Sequence, residues 1–322
     1  MSKIAIFDPY LRKFTDGMEK WWLSKGHEVR MDRYYDPELA EWADILWFDT
    51  VDNNIKSATN PSQAILDDKN NYFPWDLHHM DLTNKRIIVR PIDIEVWYGH
   101  QNGVTWDVVT DVIFIAPHIR RMMEDQLPEH INVYTVPCAV DLDRYAFRER
   151  VAGDRVAIVS EKWTSKGTDL ILQIALELQH HGEYTFHWLG KWSDYEWEKA
   201  YFEDFIKHHN LKFEFTEWIE SPNAVDEFLE DKNYLLHASH KEAFSYATAE
   251  AMAKGIKPVL HRFYGADDLW SDMTWSSVME AVDDITELKY DSLEYRQYLI
   301  NHGYTLPQMM EGIDNIIFNE GG

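Results

Sequence analysis

Short apolar runs alternate along this chain with longer stretches in which apolar residues recur at helical spacing. In the N-terminal half, the apolar runs predict strands at residues 3–7, 27–30, 43–48, 86–90, 108–115 and 132–136. Helices are predicted over residues 14–25 and from residue 117, where a proline opens the first turn. Residues 52–84 are polar and irregular, and they predict loops around a weak helix. Strands that alternate with helices form a parallel, doubly wound sheet.

The same alternation starts again after residue 153. Apolar runs predict strands at residues 156–159, 185–189, 212–215, 233–237 and 257–260, and helices are predicted over residues 168–178, 195–208 and 245–254. The charged stretch 141–153 predicts a linker. We therefore expect an N-terminal domain over 1–140 and a C-terminal domain over 154–303, with a helix over 304–322 as a candidate to complete the first domain. Ligands of such folds bind beyond the carboxyl ends of the strands, so we expect them in the cleft between the halves.

The charge balance narrows the choice of partners. The 322 residues include 31 Lys and Arg against 56 Asp and Glu, which gives a formal net charge of −25. Such a chain repels nucleic acid and anionic membranes, although a local basic cleft stays open as an alternative. The single cysteine excludes an intrachain disulfide. No apolar run approaches the length of a membrane span and no signal-peptide pattern opens the chain, so we expect a cytoplasmic protein.

The sharpest local signal lies at residues 239–259, where a predicted strand leads through a loop into a helix. Ser245 suits the N-cap of that helix and Gly255 suits its end. The free N–H groups of the first helical turn form an anion site. Glu242 and Glu250 lie about 80° apart after two full helical turns, so Glu242 is expected in the loop before the helix. On spacing alone, both carboxylates could equally be solvated or help the helix dipole.

This stretch resembles the E-x7-E signature of family-four glycosyltransferases with the GT-B fold, in which two Rossmann-like domains face a cleft. The matching residues are Glu242, Phe244, Glu250, Ala251, Met252, Ala253, Gly255, Pro258 and Val259. The family's two loop glycines are replaced by Ala243 and Ser245, and one extra residue precedes Pro258. Residues 136–145 are similar to the family's linker pattern V-x-P-N-G-V-D-x-x-x-F. Residues 165–170 look like its E-K-G-x-D-L, and residues 16–29 look like its amino-terminal G-G-x-E and G-H-E-V patterns.

The resemblance implies a role for each matching position. Glu250 would bind the ribose hydroxyls of a nucleotide sugar, and Glu242, counted among the catalytic residues, would contact the donor sugar. Lys166 would neutralise the diphosphate without a metal ion. Gly17, in the amino-terminal pattern, joins the donor-binding set. The backbone amides that would face the donor are those of Ala243, Phe244 and Ser245. The donor would be a UDP- or GDP-sugar that acts as a substrate, with no separate cofactor, and the transfer would retain the anomeric configuration.

One departure from the family pattern leaves two alternatives open. The family usually has G-R or G-K at the end of the first strand of the donor domain, where this chain has Ser160, Glu161 and Lys162. Either Lys162 substitutes in holding the diphosphate, or phosphate binding is weaker. The second case favours a nucleotide-sugar-binding partner subunit that has lost turnover. An epimerase or hydrolase of the same architecture is a third alternative.

Candidates for the acceptor side follow the fourth predicted strand. Asp93 is the first candidate and His100 the second, because a carboxylate there could take the acceptor proton; a loop-capping Asp is the simpler alternative. The acceptor would be a glycan or another hydroxyl, and a hydroxymethylated base in DNA stays an alternative despite the net charge. No oligomeric state is indicated. His237 and His240 have no third ligand at motif spacing, so we interpret them as core or cleft histidines and expect no metal site.

Overall fold

The computed structural model describes residues 1–9, 15–51, 55, 82, 84–92, 94–219, 221, 223–271 and 273–319. The chain divides into two compact units. The first consists of Met1–Cys138 and Met310–Gly322, and the second is Ala139–Met309. No helix among the described residues is long and apolar enough to cross a membrane.

The first unit is built on a parallel sheet with the strand order β2-β1-β3-β4-β5-β6. Its described strands are β1 (Lys3–Phe7), β2 (Glu28–Asp32), β3 (Ile45–Asp49), β4 (Arg86–Arg90), β5 (Asp111–Phe114) and β6 (Asn132–Thr135). The described helices are α1 (Asp16–Ser24), α2 (Pro37–Trp42), α3 (Ile94–Tyr98) and α4 (Pro117–Met123). The central strand β3 is buried along its whole length, as its apolar sequence requires in a sheet covered on both faces.

The second unit carries a parallel sheet with the order β12-β11-β10-β7-β8-β9. Its described strands are β7 (Arg155–Val159), β8 (Thr185–Leu189), β9 (Phe213–Thr216), β10 (Tyr234–His237), β11 (Lys257–His261) and β12 (Thr274–Trp275). The helices are α5 (Thr168–Leu178), α6 (Glu196–His209), α7 (Ala224–Phe228), α8 (Tyr246–Ala253), α9 (Ala266–Trp270), α10 (Val278–Thr286), α11 (Ser292–Asn301) and α12 (Leu306–Asp314), the last of which continues into the first unit. Chain order reverses between β7 and β10, and such a switch point is where ligands bind in open α/β sheets.

The core of the second unit lies between its sheet and the helices α5 and α10. Ile171 and Ile174 of α5 are fully buried, as is Trp188 of β8. The sequence of α10 determines where it begins, because Ser277 and Glu280 form a reciprocal capping box. The prediction of two doubly wound parallel sheets is confirmed.

Residues 141–150, predicted as the start of a linker, are bonded to the second unit along their length. The guanidinium of Arg296 donates to the backbone carbonyls of Leu142, Tyr145 and Ala253. Gly255, which follows α8, has a φ of +80°, and a Cβ there would lie 2.6 Å from the carbonyl oxygen of Arg148. Glycine therefore ends α8, as predicted, and also admits this segment against the helix.

The C-terminal segment packs within the first unit. The carboxylate of Asp314 accepts hydrogen bonds from the indole nitrogens of Trp21 and Trp22, each at 2.8 Å. Arg86 of β4 donates to the backbone oxygen of Ile317 at 2.6 Å. These bonds fasten the end of the chain to helix α1 and to the sheet.

Candidate functional site

Three polar side chains converge at the carboxyl edge of the second sheet, at its switch point. Lys166, in the short 3-10 turn between β7 and α5, donates from Nζ to Oε1 of Glu242 at 2.5 Å. Nε2 of His237, the last residue of β10, lies 3.3 Å from the same oxygen. The structure thus brings the predicted residues Lys166 and Glu242 together, and it adds His237. We call these three residues the carboxyl-edge cluster.

A glycine fixes the two loops that carry this cluster. Gly167, the N-cap of α5, has a φ of +71°, and a Cβ there would lie 2.1 Å from the carbonyl oxygen of Ala238. The backbone N–H of His240 donates to the carbonyl of Ser165 at 3.1 Å. Because the two backbones touch, a side chain at Gly167 cannot be accommodated without separating them. This contact is what places Lys166 against Glu242.

The electrostatics of the cluster keep Glu242 ionised. Burial by itself would raise the pKa of the Glu242 carboxyl, but the ammonium of Lys166 and the hydrogen bond from His237 outweigh it. The pKa of Glu242 is therefore held well below its usual range. At neutral pH, Glu242 is an acceptor of hydrogen bonds and cannot supply a proton.

The loop after Glu242 presents backbone donors next to this cluster. The N–H groups of Ala243, Phe244 and Ser245 donate no hydrogen bond within the described residues. Ser245 has a φ of +65°, which turns the chain into the first turn of α8. A run of unpaired N–H groups at a helix start is a site for an anion. The structure therefore places a candidate anion site beside Lys166.

Aromatic packing holds this loop in place. Phe244 is buried, with its ring 5.3 Å from that of Trp270 and 5.2 Å from that of Tyr304. The indole of Trp270 also donates to the carbonyl oxygen of Phe244 at 3.0 Å. Ser245 is the N-cap residue predicted from the sequence, but its hydroxyl bonds to that of Thr248 at 2.8 Å and caps no backbone N–H. The side chains of the loop thus serve packing, and its backbone amides are the groups whose hydrogen-bond capacity is unused within the described residues.

Glu250 lies on α8 and has a fixed orientation. Its Oε1 accepts a hydrogen bond at 2.7 Å from the hydroxyl of Tyr145, which is buried. Burial, reinforced by the Glu250 charge, raises the pKa of Tyr145 far above its usual value, so the phenol stays protonated and donates. Reasoning from the sequence assigned Tyr145 no role, although it ends the linker pattern as an aromatic residue.

Lys162 lies apart from the carboxyl-edge cluster. The residue is fully buried, its ammonium donates to the carbonyl of Gly190, and it lies over the rings of Trp192 and Phe215 at 5.4 Å and 5.7 Å. Burial lowers the pKa of Lys162 to about 8. Its contacts are therefore with the residues that follow β8 and with β9, while the neighbouring Glu161 is exposed. That Lys162 holds a diphosphate stays a prediction.

The candidates in the first unit are placed less fully. Asp93 lies outside the described residues. His100 is exposed at the start of the 3-10 turn His100–Gly103, with its ring 6.4 Å from that of Tyr98. Gly17 is half-buried in the first turn of α1. Their predicted roles stay predictions.

No metal-binding group of three or more His, Cys, Asp or Glu side chains is present in the described ranges. The acidic pair Asp141 and Asp143 is instead part of a turn. One oxygen of Asp141 accepts from the backbone N–H of Asp143 at 3.0 Å and from that of Arg144 at 3.4 Å. Asp141 thus stabilises the backbone at this point of the second unit.

The comparisons with known proteins bear on the second unit and on the fold. Residues 148–305 match the protein family described as Glycosyl transferases group 1. A comparison with proteins of curated function gives no match.

Solved structures are similar over most of the chain. A TarM mutant from S. aureus, in complex with Fondaparinux, alpha-GlcNAc-glycerol and UDP, has 15% identity and a TM-score of 0.62; the match covers 84% of this chain and 55% of that one. A glycosyltransferase from Rickettsia africae has 12% identity and a TM-score of 0.66, covering 98% and 97%. Alr3699/HepE from Anabaena, in complex with UDP and glucose, has 13% identity and a TM-score of 0.66, covering 99% and 100%. These similarities confirm the predicted GT-B fold.

Proposed function

We propose that this chain is a glycosyltransferase that moves a sugar from a nucleotide-diphosphate sugar to an acceptor hydroxyl. The observation that carries the proposal is the carboxyl-edge cluster with the unpaired amides of Ala243, Phe244 and Ser245 beside it. A cation and backbone N–H groups suit a diphosphate, and an ionised carboxylate suits sugar hydroxyls. The cluster lies within the residues that match the Glycosyl transferases group 1 family, which supports the proposal.

The leaving diphosphate gains negative charge as the glycosidic bond breaks, and stabilising that charge is the main electrostatic task. The ammonium of Lys166 has three N–H donors, so it can bind a phosphate oxygen while it keeps its bond to Glu242. The loop amides add donors whose positions do not change during the reaction. The proposed transfer is therefore independent of a metal ion, and the resemblance favours retention of the anomeric configuration.

The two glutamates have separate proposed roles. Glu242, ionised and largely buried, accepts a hydrogen bond from a hydroxyl of the donor sugar and orients it. Glu250, held by the Tyr145 hydroxyl, accepts from the ribose hydroxyls of the nucleotide. Two of the similar structures are complexes with UDP, which makes UDP-sugars the first donors to test before GDP-sugars. On the acceptor side, Asp93 and His100 remain the proposed residues, and the acceptor proposed is a glycan or another hydroxyl.

A specific observation favours the partner-subunit alternative. Lys162 is buried and bonded to Gly190, and Glu161 is exposed beside it, so the end of β7 offers a carboxylate where the resembling family has a cation. If Lys166 and the loop amides cannot hold the diphosphate without that cation, the chain would bind a nucleotide sugar weakly and turn over none.

The test is calorimetric titration with UDP, GDP, ADP and CMP and with their common sugar conjugates. We expect selective binding to one nucleotide, weakened by about 10- to 100-fold in Glu250→Gln, which removes a charged acceptor but keeps the shape. Glu203→Gln, a matched change at an exposed position of α6, should bind like the wild type. Release of free sugar or transfer to an acceptor then separates the alternatives. Binding without any turnover supports the partner subunit, and the absence of all binding contradicts the proposal.

A further inference from the structure

One ring nitrogen of His237 is left without a partner by the residues that the structure describes. The residue ends β10 at the switch point and is 7% exposed. Nε2 faces Oε1 of Glu242 at 3.3 Å, whereas Nδ1 is buried and has no hydrogen-bond partner within the described residues. Its ring packs against that of Phe263, with the centroids 6.2 Å apart. Buried polar groups are nearly always paired, so a lone nitrogen here requires an explanation.

The contact with Glu242 fixes which nitrogen carries the proton. A carboxylate only accepts, so the nitrogen that faces it must be the N–H donor. Oε1 of Glu242 already receives the ammonium of Lys166, and a second full cation at the same oxygen would repel Lys166. We therefore assign to His237 the tautomer that is protonated on Nε2. In that form, Nδ1 is an acceptor and needs a donor.

His237 also lines a pocket. The pocket is a small recess, with room for about one water molecule, and lies between the carboxyl ends of β7 and β10. Its floor is apolar, and its other lining residues near the loops are Val159, Ser160, Ala238, Ser239 and Ala247. His237 therefore lines a recess next to the glutamate that we assign to the donor sugar.

We infer that His237 is a binding residue for the donor sugar, with Nδ1 accepting a hydrogen bond from one of its hydroxyl groups. This inference rests on the proposed function and adds a contact to it. The imidazole links Glu242 to the ligand, because Nε2 donates to the carboxylate and Nδ1 accepts from the sugar hydroxyl. A sugar that lacks this hydroxyl leaves a buried acceptor unpaired and binds more weakly.

A second histidine of the same sheet supplies the matched control. His187 lies inside β8, is 4% exposed, and contacts Glu214 through Nδ1 at 2.9 Å. Its other nitrogen, Nε2, also lacks a partner in the described part of the chain, but His187 does not line the pocket. A change at His187 therefore reports loss of a buried imidazole without loss of the proposed sugar contact.

The experiment combines changes in the ligand with changes in the protein, so that their effects on binding can be compared pairwise. Binding of UDP-glucose, of its 2-, 3-, 4- and 6-deoxy analogues and of the N3-methyl uracil analogue is measured by calorimetry, with GDP-mannose and its deoxy analogues as a second series. The proteins are the wild type, His237→Phe, His237→Gln and the control His187→Phe. Nitrogen NMR of labelled histidine follows Nδ1 of His237 in the wild type as the parent sugar nucleotide is added.

We expect one deoxy analogue to bind the wild type and His187→Phe about tenfold more weakly than the parent sugar does. In His237→Phe the parent and that analogue should bind alike, while His237→Gln, whose amide offers both a donor and an acceptor, should restore part of the difference. The Nδ1 resonance should move on binding. This measurement needs no variant, so it decides the question even if His237→Phe does not fold.

Three distinct results would contradict either the contact of His237 with a sugar hydroxyl or the proposed function on which it rests. If every deoxy analogue loses the same factor in the wild type and in His237→Phe, and the Nδ1 resonance does not move, His237 has only a positioning role toward Glu242. If only the N3-methyl analogue separates the two proteins, the partner is the base and not a sugar hydroxyl. If neither parent sugar nucleotide binds the wild type, the proposed function itself fails for these donors and the contact has no sugar to bind.

Discussion

Substitution of Gly167 by alanine tests how the candidate site is assembled. The residue has a φ of +71°, which costs an L-residue about 1–2 kcal/mol. The smaller conformational freedom of alanine in the unfolded chain returns about 0.4–1 kcal/mol. The greater cost is steric, because the new Cβ would lie 2.1 Å from the carbonyl oxygen of Ala238, whereas ordinary contact begins at 3.4 Å. The two backbones must therefore separate by roughly 1.3 Å, which strains the packing by about 1–3 kcal/mol.

That separation also removes the hydrogen bond from His240 to Ser165, worth about 1 kcal/mol. Summed, these terms predict that Gly167→Ala destabilises the second unit by about 2–6 kcal/mol. Gly303→Ala is the matched control, because Gly303 lies in the same unit with a φ of +77° and with nothing within 4 Å of the new Cβ. Its cost should be about 1 kcal/mol.

Urea unfolding followed by tryptophan fluorescence measures both variants in the transition of the same unit, which matters because two units need not unfold together. Calorimetry with UDP then reports the binding site. We expect Gly167→Ala to lower the unfolding midpoint well below that of Gly303→Ala and to abolish UDP binding, since Lys166 leaves Glu242. Equal midpoints for the two variants would refute the steric reasoning. A large loss of stability with unchanged UDP binding would refute the role of this contact in placing Lys166.

Three further outcomes are expected. Arg90→Leu should destabilise the first unit by about 3–5 kcal/mol in urea, because it leaves the fully buried Asp49 without the cation 2.9 Å away; a loss below about 1 kcal/mol would contradict this. Ser245→Ala keeps the positive φ and removes the bond to Thr248, so it should cost about 1–2 kcal/mol, whereas Ser245→Gly relieves the strain and should be the less destabilising of the two. Burial lowers the pKa of His187, so the unfolded chain binds the proton more readily and stability should fall as pH drops below about 6.5; His187→Gln should flatten that slope, measured by urea unfolding across pH.

The fold could be predicted because each strand and helix has its own pattern of apolar and polar residues. A strand that is buried on both faces must be apolar throughout, as β3 is, and a helix between strands must show one apolar face, as α5 does. Neither requirement depends on distant residues. The irregular stretch 52–84 carried no such pattern, and only residues 55, 82 and 84 of it are among the described residues.

The candidate site could be predicted only in part, because some of its contacts join residues far apart in sequence. Lys166 and Glu242 were found from motif spacing, but their bond depends on the approach of Gly167 to β10. The hydroxyl of Tyr145 meets Glu250 across 105 positions, and no local pattern encodes that meeting. His237 sits at a strand end, where a buried histidine is commonly part of the core, and only the contact with Glu242 and the unpartnered nitrogen distinguish it.

The two loop positions where the resembling family has glycine, Ala243 and Ser245, differ in their backbone conformation. Ser245 is the only one of the two that adopts a positive φ, so the loop keeps the backbone path for which glycine is suited, and the bond to Thr248 offsets part of the strain. Ala243 has an ordinary negative φ, and glycine is not required there. The replaced glycines therefore give no reason to doubt the anion site. The exposed Glu161 is a reason to question diphosphate binding, because it adds a negative charge at the end of the strand that precedes Lys166. The choice between an active transferase and a binding subunit thus depends on whether Lys166, with the loop amides, holds a diphosphate without a second cation.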